Sequence, residues 1–318
     1  MKRYAIGIDL GGTQIRAGLV DDDGQLLRRT AVRTLAMAGP DAVIDQLAGC
    51  LRTVTEGMSA AEIANVGLCA PGPLDADHGI ALSIPTLRGF VDLQLAARLE
   101  QRSGHSVYLE NDGIAAAYGE WRFGAGRGTD NLVYVTVSTG VGGGIVSDGR
   151  ILRGSRGMAG HVGHMTVVAD GAPCPCGNRG CWEAYASGTA LARRANAEAP
   201  IAPSTTLGKD GRPIDALAVF EAARAGDALA AKLVEEEADY IGIGLSNLLH
   251  AFSPERVVIG GGVSNAFDDL LPGIRRRINI SAMPPYRDVT IVRSTLGDDA
   301  GIIGTATLAL EKAKRQFA

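Results

Sequence analysis

No apolar run in the 318 residues approaches the ~20 that a membrane-crossing helix requires, which excludes a helical spanning protein. The opening Met1-Lys2-Arg3-Tyr4-Ala5-Ile6-Gly7-Ile8-Asp9 reaches an acidic residue after a few apolar positions and has no small-residue cleavage site. No secretion leader is therefore expected, and the chain is expected in the cytoplasm. A basic excess is missing as well. With 31 Lys+Arg against 35 Asp+Glu the net charge is −4, so no global basic field favours nucleic acid. There is no low-complexity segment, and 46% hydrophobic with 21% charged residues is the balance of a globular chain rather than a disordered one. Neither a G-x-x-x-x-G-K-[ST] loop nor a strand-linked G-x-G-x-x-G fingerprint occurs, which argues against P-loop and dinucleotide enzymes. Five cysteines without a leader do not read as a disulfide framework.

Glycine is what the chain has in excess: 43 residues, too many for turns alone. They cluster at Gly11-Gly12, Gly142-Gly143-Gly144 and Gly260-Gly261-Gly262. The length is too great for one core and suits two lobes. We expect a smaller N-terminal lobe of residues 1–113 with 299–318, and a larger one of 114–298.

Hydrophobic patterning predicts strands at 4–9, 14–20 and 25–32, a helix at 40–55, a buried strand at 65–70, a helix at 91–101, a strand at 107–110 and a helix at 112–122. Strands at 132–138 and 142–147 with a turn at 147–149 then repeat the opening pattern, which points to a duplicated fold. A Cys-rich loop, a long helix at about 227–251, a strand at 256–259, a helix at 265–277, a strand at 288–292 and a closing helix at 298–314 complete the α/β alternation. The polar stretch 202–213 reads as an insertion within a lobe.

Asp9-Leu10-Gly11-Gly12-Thr13 lies between two strands. Its glycines let backbone approach a ligand, successive amides can cradle an anion, Thr13 adds a donor, and Asp9 can hold a hydrated cation. A capped hairpin is the plainer alternative. Ser138-Thr139-Gly140-Val141-Gly142 repeats the device, and Gly260–Gly262 follows a strand and precedes a helix, whose first amides are free. Three such clusters in this order suit a triphosphate and a base. Glu110-Asn111-Asp112 ends a strand and opens a helix. It reads either as an N-cap or as a general base, Asp112, with Asn111 orienting a hydroxyl.

His164, Cys174, Cys176 and Cys181 supply one imidazole and three thiolates, the donor set of a tetrahedral Zn²⁺. Four protein ligands make that zinc structural rather than hydrolytic. Glu183 follows at once. His161 reads either as a substrate contact or as an ordinary histidine; His78, His105 and His250 receive the ordinary reading. Cys50 and Cys69 are expected in cores, and Arg275–Arg277 as a solvated basic helix end.

Together these residues resemble the ROK family (repressor, open reading frame, kinase) of sugar kinases and sugar-responsive regulators. The resemblance runs from Asp9-x-Gly-Gly-Thr13 to Gly297-Asp-Asp-Ala-Gly301 and is most specific at Cys174-Pro-Cys-Gly-Asn-Arg-Gly-Cys-Trp-Glu183. It implies an α/β, duplicated actin-like (ribonuclease H-like) ATPase fold whose two lobes close over ATP-Mg²⁺ and a hexose. Asp112 would take the proton of the sugar 6-hydroxyl. Gly72, Thr86, Asn111, Asp112, His161, His164 and Glu183 would contact sugar, with His164 also on zinc. Asp9, Gly11, Gly12, Thr13, Thr139, Gly140, Gly142, Gly260, Gly261 and Gly262 would hold ATP. The family's sugar loop usually reads Pro-Asn-Leu, whereas this chain has Pro85-Thr86-Leu87.

Gly160-His161-Val162-Gly163-His164 replaces the Gly-Glu-x-Gly-His usual in the family's glucokinases and looks like the N-acetylmannosamine kinases. The zinc-loop surroundings instead look like actinobacterial-type glucokinases. The expectation is an ATP-dependent 6-kinase acting on N-acetyl-D-mannosamine, with glucose as the alternative. A repressor would need a helix-turn-helix module ahead of the first turn, for which Asp9 leaves no room. Expected partners are sugar and ATP, with no nucleic acid or membrane, and a homodimer.

Overall fold

The computed structural model describes residues 4–209 and 211–316. The tips of the expected first lobe (1–3 and 317–318) and Asp210 of the expected insertion lie outside the described residues. Contacts group the chain into two compact units: one running to Asp130 with Gly144–Gly160 and the segment from Thr295, the other Asn131–Gly143 with His161–Ser294. The helix at 112–122 and residues 144–160, both expected in the larger lobe, group with the first unit.

In chain order the strands and helices are β1 (Tyr4–Leu10), β2 (Gln14–Val20), β3 (Leu26–Arg33), α1 (Pro40–Val54), β4 (Ile63–Ala70), β5 (Leu74–Asp75), β6 (Ile80–Ser83), β7 (Val91–Leu93), α2 (Leu95–Ser103), β8 (Val107–Asn111), α3 (Asp112–Phe123), β9 (Leu132–Val137), β10 (Val141–Ser147) and β11 (Arg150–Ile151). There follow α4 (Glu183–Ala186), α5 (Gly188–Glu198), α6 (Ala216–Arg224), α7 (Ala228–Phe252), β12 (Arg256–Gly260), α8 (Phe267–Ser281), β13 (Thr290–Arg293) and α9 (Ala300–Gln316).

The first sheet has the order β3-β2-β1-β4-β8 and the second β11-β10-β9-β12-β13. These are one pattern written twice: a meander of three consecutive strands, then two strands added on the far side of the meander's first. Parallel additions β1–β4, β4–β8, β9–β12 and β12–β13 require helical crossovers, which is why helices alternate with the later strands. The duplication expected from the sequence is thus present in the strand order itself.

On one face of the first sheet Val43, Ile44, Leu47, Cys50 and Leu51 of α1 pack with Ile6, Ile8, Leu68 and Leu109 in a single buried cluster. The other face carries α9, with Ile302, Ile303, Ala306 and Ala309 over Ala5 and Val20. That helix can lie so close because Gly7 faces it. A Cβ there would run into the Ile302 carbonyl, and one at Gly304 into the Ala115 carbonyl of α3. The approach of α3 to α9 is what draws α3 into the first unit.

Two expectations need correction. The helix expected at 91–101 is the short strand β7 followed by α2, and β7 closes a three-stranded sheet β5-β6-β7 that patterning did not reveal. Arg275–Arg277 lie inside α8, not at its end. Arg276 pairs with Glu235 and Asp239, Arg277 with Asp239, and Arg275 donates to the Val289 carbonyl.

Candidate functional site

Parallel pairing sets the candidate residues of the first unit. Asp9 of β1 lies in register with Cys69 of β4, and Cys69 with Glu110 of β8. The carboxyl ends of three adjacent strands therefore line up Asp9, Cys69 and the Asn111–Asp112 junction, the usual ligand edge of a parallel α/β sheet. The Cys69 thiol donates to Asp9 Oδ1 at 3.6 Å. Arg16, opposite Asp9 in the β1–β2 hairpin, reaches Asp9 Oδ2 at 3.3 Å and Asp298 at 3.4 Å. Burial raises the Asp9 carboxyl above its ordinary range, with Arg16 pulling the other way. Its side chain keeps 18% exposure, so it is open to an incoming group.

Asn111 is the N-cap of α3: its side-chain oxygen accepts from the Gly113 and Ile114 amides at 3.0 and 3.2 Å. The capping reading of that residue is therefore realised, and its side chain is also a hydrogen-bond partner of Asp112. Asp112 follows, accepting from the Gly113 amide at 2.7 Å. Burial, reinforced by the charge of Asp9, pushes its carboxyl up to about 7. Behind it, Glu110 is buried and paired with Arg153 at 2.7 Å, and burial raises its carboxyl too.

The turn 11–13 is closed by the Gly11 amide donating to Gln14 O at 3.0 Å. Gly12 must be glycine: a Cβ would sit 2.8 Å from Thr86 Cβ and 2.9 Å from its Oγ1. The expected phosphate turn and the expected sugar loop are thus in contact within the first unit. Gly72 follows β4, and its bond to Pro73 is cis.

The second unit holds the remaining residues. Between β9 and β10, Thr139 is exposed and the turn is closed by Ser138 N–H donating to Gly140 O at 2.9 Å. Glu183 at the head of α4 accepts from the Val141 amide at 2.9 Å, and a Cβ on Gly140 would collide with that same carboxylate. Glu183, expected to contact sugar, therefore also fastens the second glycine turn. Gly261 (φ +81°), the residue after β12, lies tight against the Val137 carbonyl, and Gly262 lies open beside Ser138, so the clusters at 138–142 and 260–262 converge.

Helix α4 is itself held by α7. Trp182 Nε1 donates to the Tyr240 carbonyl at 2.7 Å, and Arg194 bridges Tyr185 O and Glu237, each at 2.6 Å. Glu237 is fully buried, and burial lifts it to about 8 against the pull of Arg194.

The ligating atoms of His164, Cys174, Cys176 and Cys181 all lie within 4.8 Å of one another. Cys176 and Cys181 sulfurs are 3.6 Å apart, and Cys174 Sγ is 3.7 Å from His164 Nδ1. Zn–S bonds of about 2.3 Å place tetrahedral corners roughly 3.8 Å apart, so this donor set fits a zinc ion. His161 stacks near His164 with ring centroids 6.2 Å apart, and burial lowers its pKa.

Sequence reading missed Arg16 and gave Cys69 to the core. Hairpin register carried the first signal: with the hairpin centred between residues 12 and 13, residue 16 falls opposite residue 9. Cys69 is fully buried, as expected, yet its thiol faces the acidic edge.

Two α/β units built on the same strand order, each with a glycine turn between a central strand and its hairpin partner, define the duplicated actin-like ATPase fold. The chain belongs to the ROK family, whose profile matches residues 5–312. It is 38% identical over 315 residues to a glucokinase of Thermotoga maritima, covering 98% of each chain. It is 34% identical over 304 residues to an N-acetylmannosamine kinase of Citrobacter koseri, covering 96% of this chain and 98% of the relative. Among solved structures it is similar to a ROK family glucokinase from Streptomyces griseus in complex with glucose and AMPPNP, with TM-score 0.84 and 38% identity over 97% of this chain and 99% of the other.

Proposed function

We propose that this protein is an ATP-dependent sugar kinase that transfers the γ-phosphoryl group to the 6-hydroxyl of a hexose. One observation carries the reading: Asp112, where β8 passes into α3, holds a carboxyl raised to about 7 beside a second, partly exposed carboxylate, Asp9. A base of that strength is half ionised near neutrality, where it can both accept a proton and survive unprotonated.

As carboxylate, Asp112 takes the hydroxyl proton while the sugar oxygen bonds to the γ-phosphorus. The bond from that phosphorus to the β–γ bridging oxygen breaks, and ADP leaves with the electron pair. Asn111 fixes the helix start that aims Asp112. In the first unit the amides of turn 11–13 are suited to neutralise phosphate charge; in the second, turn 139–142 presents the same kind of amides and Gly260–Gly262 a side-chain-free shelf for a nucleoside. Asp9 is the residue suited to hold Mg²⁺; bound there, the ion would offset charge on the phosphates. Zinc on His164 and the three cysteines would rigidify the loop that precedes Glu183.

Glucose is better supported as acceptor than N-acetylmannosamine, the sugar that His161 suggested. Glucokinase relatives reach 38% identity and the N-acetylmannosamine kinase 34%, with a glucokinase also among the similar solved structures. A coupled ADP-release assay over glucose, N-acetylmannosamine, N-acetylglucosamine, mannose, fructose and allose tests this. The highest kcat/KM is expected with glucose; a preference for N-acetylmannosamine reverses the order, and no turnover with any of them sinks the kinase reading.

A further inference from the structure

Between β3 and α1 the chain forms a short strap, residues 34–39, that touches both ligand loops of the first unit. Thr34, only 7% exposed, donates its hydroxyl to the Gly11 carbonyl at 2.7 Å and its amide to the Thr13 carbonyl at 2.9 Å. Two residues on, the Ala36 carbonyl accepts from the Arg88 amide at 2.9 Å, in the loop that carries Thr86. Gln46 of α1 pins the strap from outside, accepting from the Leu35 amide at 2.9 Å and donating to Arg33 O at 2.8 Å. The direct Gly12–Thr86 contact closes the circuit.

These bonds have a directional consequence. In a trans peptide the carbonyl and the following amide point opposite ways, so drawing Gly11 O toward Thr34 turns the Gly12 N–H away from the strap. A turn that shifts to seat a phosphate must move Thr34 with it, and the strap then moves the backbone at Arg88. We infer that Thr34 is a positioning residue that makes occupancy of the nucleotide turn and of the sugar loop interdependent. The inference rests on the sugar-kinase reading and adds to it a coupling between the two substrates. Such coupling is reciprocal: nucleotide tightens sugar by the factor by which sugar tightens nucleotide.

The test is calorimetric titration of glucose into the full-length protein with and without saturating AMPPNP and Mg²⁺. In the wild-type chain the nucleotide is expected to lower the glucose Kd at least five-fold, within the ordinary range of coupling between sites. Thr34→Val keeps the side chain's shape and removes the donor. It should bring the ratio to within two-fold of unity while each ligand alone binds within about three-fold of wild type. Thr34→Ser restores the donor and should restore the ratio. Gln46→Ala, which loosens the strap without touching Gly11, should reduce the ratio in the same direction and serves if the valine variant does not fold. A wild-type ratio retained in both loosened variants overturns the coupling role, as does wild-type protein that binds the two ligands independently; in either case the kinase reading stands. A wild-type chain that binds AMPPNP but not glucose removes glucose as acceptor and this coupling with it.

Discussion

Asp112 holds its proton far more tightly folded than unfolded, because burial and the neighbouring Asp9 disfavour its charge. Two consequences follow, with opposite pH signs. Activity should rise with pH as the carboxyl ionises, so kcat/KM for sugar should show an acid limb with an apparent pKa near 7. Stability should move the other way. With a folded value of about 7 against an ordinary 3.8, Asp112 contributes stability below about pH 4 that is lost as pH climbs through 7. Asp112→Asn should therefore fold, lose nearly all transfer, and melt at or above the wild-type temperature at pH 8, by ~1 kcal/mol or more. Near-normal turnover in that variant removes Asp112 from the role of base; a markedly lower melting temperature contradicts the burial argument. Asp9 and Asp112 were legible in the sequence because each sits at a strand end beside a glycine turn or a helix start. Arg16 and the thiol of Cys69 were not, because their meaning lies in cross-strand register, which a linear reading sets aside unless it first fixes the turn.

Among the elements, α9 depends most on what is missing from its neighbours. Gly7 of β1 and Gly304 of α9 permit backbone contact that no side chain fits into. Gly304→Ala should push α9 away from α3 and cost about 1–3 kcal/mol, read as a lowered urea midpoint. An unchanged midpoint would mean that the two helices separate freely. The long helices and most strands were legible within one to four residues, since caps and apolar spacing mark them: Asp227 accepts from the Ala230 amide at the start of α7. Strand β7 was not. Its three residues, Val91-Asp92-Leu93, are mostly exposed and too short a run to mark a strand, so its pairing with β6 is a property of the sheet rather than of the segment.

For the whole molecule, the cysteine loop is the feature whose removal should be felt most broadly. It leads into Trp182 and Glu183, which are bound to α7 and to the second glycine turn. Cys176→Ser should lower zinc content and melting temperature together, measured by metal analysis and calorimetry on the same preparations. A metal-free variant with unchanged melting would contradict a structural ion. The donor set was legible from spacing alone, and the duplication from the repeated strand–glycine–strand pattern. The extent of the two units was not, because α3 joins the first through contact with a helix nearly two hundred residues further along the chain.

That late helix has a bearing on biosynthesis. During translation the first sheet emerges early, yet the apolar side formed by Ala5 and Val20 has no cover until Ile302, Ile303 and Ala306 leave the ribosome; even the side-chain amide of Asn65 waits for the Ala309 carbonyl, 244 positions downstream. The second unit can complete itself from nascent chain already released, whereas the half bearing Asp112 cannot. Chains arrested before Ala300 should accordingly present a sticky half-built sheet and recruit chaperones or precipitate, even though Asp112 has already been synthesised.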